Sequence, residues 1–252
     1  MPRQSWSRDE LLVTFNLYCR TPFGRLHRSN PEIISLARKI GRTPSAVAMK
    51  LVNFASFDPI HQARSVRGLN NASQADRHIW DEFNANPEQL AFESQKAFNE
   101  IVESVTESDK IVFPSSGQTE TTRIVRVRLV QRFFRESVLT SYNYRCSICE
   151  LSLVELLTAS HIIPWSRNVE RRADPRNGLA LCAIHDRAFD RGLITLDDSF
   201  RVLLSRTAKI ITSSRLHLVA LMEIEGNMIS MPKRFSPDPI ALAYHRTEIF
   251  RQ

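Results

Sequence analysis

The sequence predicts an α+β fold in which a helical N-terminal half precedes a small ββα unit, and three observations point there. Residues 1 to 57 repeat apolar side chains at helical spacing between capping residues. Residues 146 to 192 place short apolar runs around turn dipeptides before the spacing turns helical. Bracketing that second stretch are two dyads, Cys146-x-x-Cys149 and Cys182-x-x-His185. Two such knuckles, separated by enough chain for a hairpin, are how a tetrahedral Zn2+ site is usually assembled.

Composition narrows the class. The chain has 252 residues, 42% hydrophobic, with 7 Gly and 12 Pro, which suits a globular protein of one large or two small domains. No apolar run approaches the roughly 20 residues of a membrane span. The opening MPRQSWSRDE lacks the apolar core of a signal peptide. Three of the four cysteines lie in the dyads and Cys19 stands alone, which fits a reducing compartment better than a disulfide scaffold. The expectation is a soluble, cytoplasmic protein with no membrane partner.

The net charge of +7 is unevenly spread: residues 1 to 75 hold 11 Lys and Arg against 4 Asp and Glu. A cationic N-terminal domain attracts phosphate whatever the sequence, although basic surface also serves solubility.

Taken in order, Ser7 caps a first helix whose start, Arg8-Asp9-Glu10, is acidic, with Leu11, Leu12, Phe15 and Tyr18 as its stripe. Pro22 and Gly24 end it. Asn30-Pro31 starts a second helix with Ile33, Ile34, Leu36, Ala37 and Ile40, closed by Gly41, and Thr43-Pro44 starts a third. The second and third have the outline of a helix-turn-helix. Here Lys50 and Asn53 are the candidate DNA-binding residues, beside a buried Val47, Leu51 and Phe54. With Trp6, the layout resembles Myb-like trihelical DNA-binding modules; a protein partner, or a modified base, is the other reading of this surface.

Residues 58 to 71 read as a basic loop with Arg64, Arg67 and Asn70-Asn71. Helices follow at 73 to 86 and, after Pro87, to Ser104. The polar run around Pro114-Ser115-Ser116-Gly117 sets the domain boundary: 1–105 helical, 106–120 linker, 121–252 the second domain. A helix from about Thr121 to Tyr142 carries Arg128, Arg132 and Arg135 on one face, a phosphate-contacting stripe or simply a solvated one, with Val127, Val130, Phe134, Val138 and Leu139 opposite. Within the dyads, His161 lies on a strand-like run, Asn177-Gly178 forms a turn, and Leu179 to Leu181 is a second strand. Beyond Gly192, hairpins are expected at 193–204, about Asp197-Asp198, and at 218–231, about Glu225-Gly226-Asn227, before a final helix over 237–251. His245-Arg246 on that helix reads as packing or capping.

The runs Ser160-His161-Ile162-Ile163-Pro164-Trp165-Ser166, Asn177-Gly178-Leu179-Ala180-Leu181-Cys182 and Phe189-Asp190-Arg191-Gly192, with Arg128-x-x-Gln131-x-x-Phe134-Arg135 upstream, resemble HNH nucleases of the ββα-metal type, in their restriction endonuclease form. The resemblance covers roughly the C-terminal half. It implies that His161 is the general base, that Asn177 braces the loop between the strands, and that a residue on the helix, His185 or Asp186, holds a catalytic divalent ion. The knuckle pattern claims His185 for Zn2+ with Cys146, Cys149 and Cys182, and adjacent helical residues point about 100° apart. Asp186 is then left for Mg2+ or Mn2+, which prefer carboxylate oxygen. Where family members often have Asp before the base, this chain has Ser160, a weaker ligand. The function implied is a restriction-like DNA endonuclease acting on double-stranded DNA with target recognition from the N-terminal module, a double-strand cut from a one-metal site favouring a homodimer. The alternative is a non-catalytic, zinc-stapled DNA-binding protein with a degenerate site.

Overall fold

A computed structural model describes residues 5–63, 72–102, 118–210 and 214–251, and the side chains of 118–122 are not among those described. The chain divides into two compact units, 1–136 and 137–252.

The first unit is built around one helix. α1 (Arg8–Arg20) starts where Ser7 and Glu10 form a reciprocal capping box, which satisfies two otherwise orphaned amides. Its burial is far wider than an amphipathic stripe: every residue from Leu11 to Cys19 is buried. It packs on α3 (Pro44–Ala55), α5 (Gln74–Ala85) and α6 (Pro87–Ile101). Phe15 is the hub, with ring centroids 5.3 Å from Phe54 and 5.0 Å from Phe83. Removing such a ring from a closed core costs about 3–5 kcal/mol. The polar Asn16 is tolerated in this environment because its amide donates to Ser94 and to Gln95, at 3.3 and 3.2 Å. α2 (Pro31–Lys39) and α3 begin at the expected caps, Asn30 and Thr43, each followed by proline at the first helical position. Gly41, at φ +66°, makes the turn between them.

Two expectations change here. The stretch after Asp58 is not all loop: α4 (Pro59–Ala63) occupies its start, while Arg64, Arg67 and Asn70-Asn71 lie outside the described residues. Most of the linker expected at 106–120 also lies outside them. The border between the units comes later, inside α7 (Gln118–Ser141). The physical reason is that the first part of α7 is committed to the helical unit. Phe133 meets Phe83 at 5.9 Å, and Arg126 lies over Phe92 at 4.7 Å while donating to Gln89.

In the second unit β1 (Leu157–His161) and β2 (Gly178–Cys182) form an antiparallel pair, with Leu157 opposite Cys182 and His161 opposite Gly178. α8 (Ala183–Asp190) follows β2 without a loop and packs on both strands, giving the ββα unit its third face. β3 (Ile194–Leu196) and β4 (Val202–Leu204) form the expected hairpin. Gly192 between α8 and β3 has φ +66°, and a Cβ there would lie 2.0 Å from the Ile249 carbonyl oxygen, so only glycine fits. The final helix, α10 (Pro239–Glu248), packs on β3. It seats His245 against the end of α8: the ring stacks on Phe189 at 3.7 Å, Nε2 donates to the Phe189 carbonyl, and Nδ1 pairs with Thr195. Burial lowers the pKa of this imidazole to about 4, so it packs as a neutral ring.

The hairpin expected at 218–231 does not form. Ser214 accepts from the His217 amide and caps α9 (Arg215–Ala220), which a single 3-10 turn at Met222–Ile224 follows. Strand-like pairing there shrinks to one bridge, Arg201 with Met228.

Candidate functional site

Sequence separation hides how closely the two knuckles come together. Cys146, Cys149, Cys182 and His185 have their ligand atoms all within 4.8 Å of one another. The His185 Nδ1 is 3.4 Å from Cys146 Sγ and 3.3 Å from Cys182 Sγ, and Cys149 Sγ is 3.9 Å from Cys182 Sγ. A tetrahedral zinc with Zn–S near 2.3 Å and Zn–N near 2.0 Å separates its ligand atoms by about 3.5–3.8 Å. The donor set therefore fits such an ion in both spacing and chemistry.

Local structure explains the fit. The first knuckle turns through Glu150, at φ +59°, with its amide returning to the Cys146 carbonyl. The Ser147 amide donates to Ala180, which ties that knuckle to β2 and so to Cys182. His185, one turn into α8, is 2% exposed and donates from Nε2 to the Ala220 carbonyl at 2.9 Å. A carbonyl can only accept, so Nδ1, the nitrogen facing the cysteines, is the one left with a lone pair. The hydrogen bond from the neighbouring Cys146 thiol lowers the pKa of the Cys182 thiol.

His161 lies outside this closed set, at the end of β1. Its Nε2 donates to the Arg172 carbonyl at 3.0 Å, so Nδ1 is the basic nitrogen. Burial lowers its pKa and keeps it neutral. The long β1–β2 connection that supplies the Arg172 carbonyl is pinned by Asn177, which is 1% exposed. Asn177 Oδ1 accepts from the Ile163 amide at 2.8 Å, and its Nδ2 donates to the carbonyls of Ile163 and Arg171. Arg171 in turn pairs with Asp238, the residue that caps α10.

Asp186 projects from α8 toward Ser160 on β1. Burial holds its carboxyl above the usual range, and the Ser160 hydroxyl offsets only part of that. The Ser160 oxygen is itself buried and makes no formed hydrogen bond among the described residues. Burial and the charge of Asp186 also raise Asp190, one turn along. A desolvated carboxylate beside an unsatisfied hydroxyl, with a second acid nearby, is a donor set that suits a hard divalent cation.

The structure groups the four knuckle residues and sets Asp186 against Ser160, but it draws the predicted residues of α3 inward. Lys50 and Asn53, expected to reach DNA from α3, are 8% and 4% exposed. The Lys50 ammonium pairs with Asp76 at 2.5 Å and the Asn53 amide donates to the same carboxylate at 2.7 Å. Asp76, fully buried at the start of α5, requires both. The solvent face of α3 instead shows Ser45 and Met49, which are neutral. On α7, Arg128 and Arg132 are exposed and Arg135 is half-buried, while Val130, Phe133, Phe134, Val138 and Leu139 are buried. The contribution of Arg172 through its backbone had no sequence signal, because every residue carries a carbonyl.

Residues 146–197 match the family model for HNH endonucleases. No curated protein matches the chain. The matched segment runs from the first knuckle through β1, β2, α8 and β3, and the likeness implies a nuclease-type domain that binds nucleic acid. No helix among the described residues is long and apolar enough to cross a membrane.

Proposed function

We propose that this protein is a metal-dependent DNA endonuclease of restriction-like type, in which His161 is the general base and Asp186 holds a catalytic Mg2+ or Mn2+. The observation that carries this reading is a division of labour. Cys146, Cys149, Cys182 and His185 form a self-contained set suited to a structural Zn2+, while His161, Ser160 and Asp186 stand outside that set.

In this mechanism His161 Nδ1 takes the proton of a water directed at phosphorus. The hydrogen bond from Nε2 to Arg172 fixes the tautomer and favours the imidazolium that forms. Asn177 keeps the connecting loop from drifting, so the ring holds its direction. Asp186, with Ser160 beside it, would hold a divalent ion, which would supply charge neutralisation at the scissile phosphate. The four-ligand site holds β2, α8 and the first knuckle together, which fixes Asp186 relative to His161.

Supercoiled plasmid DNA incubated with the protein and Mg2+ or Mn2+ tests this reading: nicked or linear product is expected, and chelation with EDTA abolishes it. Intact plasmid with either ion, from protein carrying its full zinc content, supports the non-catalytic zinc-stapled alternative.

Target recognition we assign to the N-terminal unit, but through different residues from those the sequence suggested. Arg25 and Arg28 flank the short turn before α2, are exposed, and have no side-chain partner among the described residues. Replacing both with alanine is expected to weaken duplex binding by the full chain and to flatten its log–log salt dependence by about 2, since each phosphate contact contributes about 0.9. An unchanged salt slope would move the contact surface elsewhere.

A further inference from the structure

Trp165 and the Arg172 side chain are used by neither the metal set nor the hydrolytic step described above, yet they close a circuit of contacts with His161. The Trp165 indole meets the His161 ring edge to face, centroids 5.6 Å apart and planes at 85°. The Arg172 guanidinium lies over the same indole at 4.9 Å. Its Nε donates to the Trp165 carbonyl at 2.8 Å. The Arg172 carbonyl then accepts from His161 Nε2, which closes the ring of contacts.

We infer that Trp165 and Arg172 are a positioning pair for His161, the Arg172 side chain folding back on Trp165 to hold its own carbonyl against the imidazole. This inference rests on the reading of His161 as the base. The geometry favours it over the simpler view of Arg172 as a phosphate-binding cation. One face of the guanidinium is covered by the indole and its Nε–H is spent within the loop. An arginine kept for phosphate presents its planar fork outward. Asn177 anchors the neighbouring Arg171 carbonyl, at 3.3 Å, but places nothing on the imidazole itself. The indole meets the ring on its side and the Arg172 carbonyl meets it at its far nitrogen.

The direct measurement is the ring tautomer of His161, read by nitrogen NMR on the full-length, zinc-loaded protein without DNA, well above the imidazole titration range. Wild type is expected to hold the Nε2–H form alone. Trp165→Ala and Arg172→Ala should each give a mixture of both tautomers, with kcat for plasmid nicking lowered about 10- to 100-fold, the usual loss when an orienting partner is removed. KM for DNA should stay within about twofold, because neither side chain is assigned to the phosphate. Trp165→Phe, which keeps a ring edge against the imidazole, should restore a single tautomer and most of kcat.

Arg172→Ala with an unmixed tautomer, unchanged kcat and a raised KM would make Arg172 a phosphate contact and overturn the inference. So would a single Nε2–H tautomer in Trp165→Ala. Zinc content checks the fold of each variant. Should Trp165→Ala fail to fold, Arg172→Ala decides the question through the same spectrum. The tautomer is read without cleavage, so an inactive wild type would count against the proposed function and leave this measurement standing.

Discussion

Replacing His161 with alanine is expected to lower cleavage by about 10²- to 10⁴-fold, the range that general-base catalysis contributes. Fold, zinc content and duplex affinity should remain near wild type. The residue stands at the end of β1, half-buried, with its ring bonded to the Arg172 carbonyl and outside the four-ligand set. Removing it therefore takes away a proton acceptor and leaves the four-ligand site intact. Burial lowers the pKa of this imidazole, so the neutral, basic form persists below the ordinary imidazole range. Activity limited by His161 should accordingly hold as pH falls through neutrality and drop only at more acidic values. Single-turnover nicking measured across that range, on wild type and His161→Ala, checks both points. Full activity in the variant would remove His161 from the mechanism.

The second large effect separates two adjacent residues. His185→Ala is expected to strip zinc from the protein and unfold the second unit. In small metal-stapled units the binding energy is folding energy, and an apparent 10–16 kcal/mol is typical of structural zinc in isolated fingers. His185 points inward at 2% exposure and meets both Cys146 and Cys182. Asp186→Ala should keep one zinc per chain and its melting temperature, yet lose divalent-dependent cleavage, because its half-buried carboxylate faces Ser160 rather than the cysteines. Zinc per chain and thermal melts on the two purified variants, beside plasmid nicking, read the difference. A folded, zinc-replete His185→Ala protein would reverse the two assignments.

Much of the fold was legible because its signals are local. Ser7 reaches Glu10, Asn30 reaches Glu32 and Thr43 reaches Ala46, so each cap is complete within three residues of chain. The same holds for the knuckles, whose three-residue spacing carries its own geometry. The helix read from the final segment was found at Pro239–Glu248, and the hairpin about Asp197-Asp198 was found at Ile194–Leu204. Where local signals competed, pattern failed: Leu218 to Met231 alternates like a hairpin, but Ser214 had already capped a helix ahead of it.

The sequence by itself thus determined which residues are chemically able to hold a metal or move a proton, since ligand type and short spacing are properties of the chain. Only the tertiary structure decided which of them are available. Lys50 and Asn53 are polar and fall on a plausible reading helix, but Asp76, more than twenty positions later, is buried against them and draws both inward. The His161 tautomer was set only when the fold carried the Arg172 carbonyl, eleven positions away, to its Nε2. A buried charge must find its counterion and a buried ring nitrogen its acceptor, and those partners are set by packing between distant segments, which no local spacing encodes.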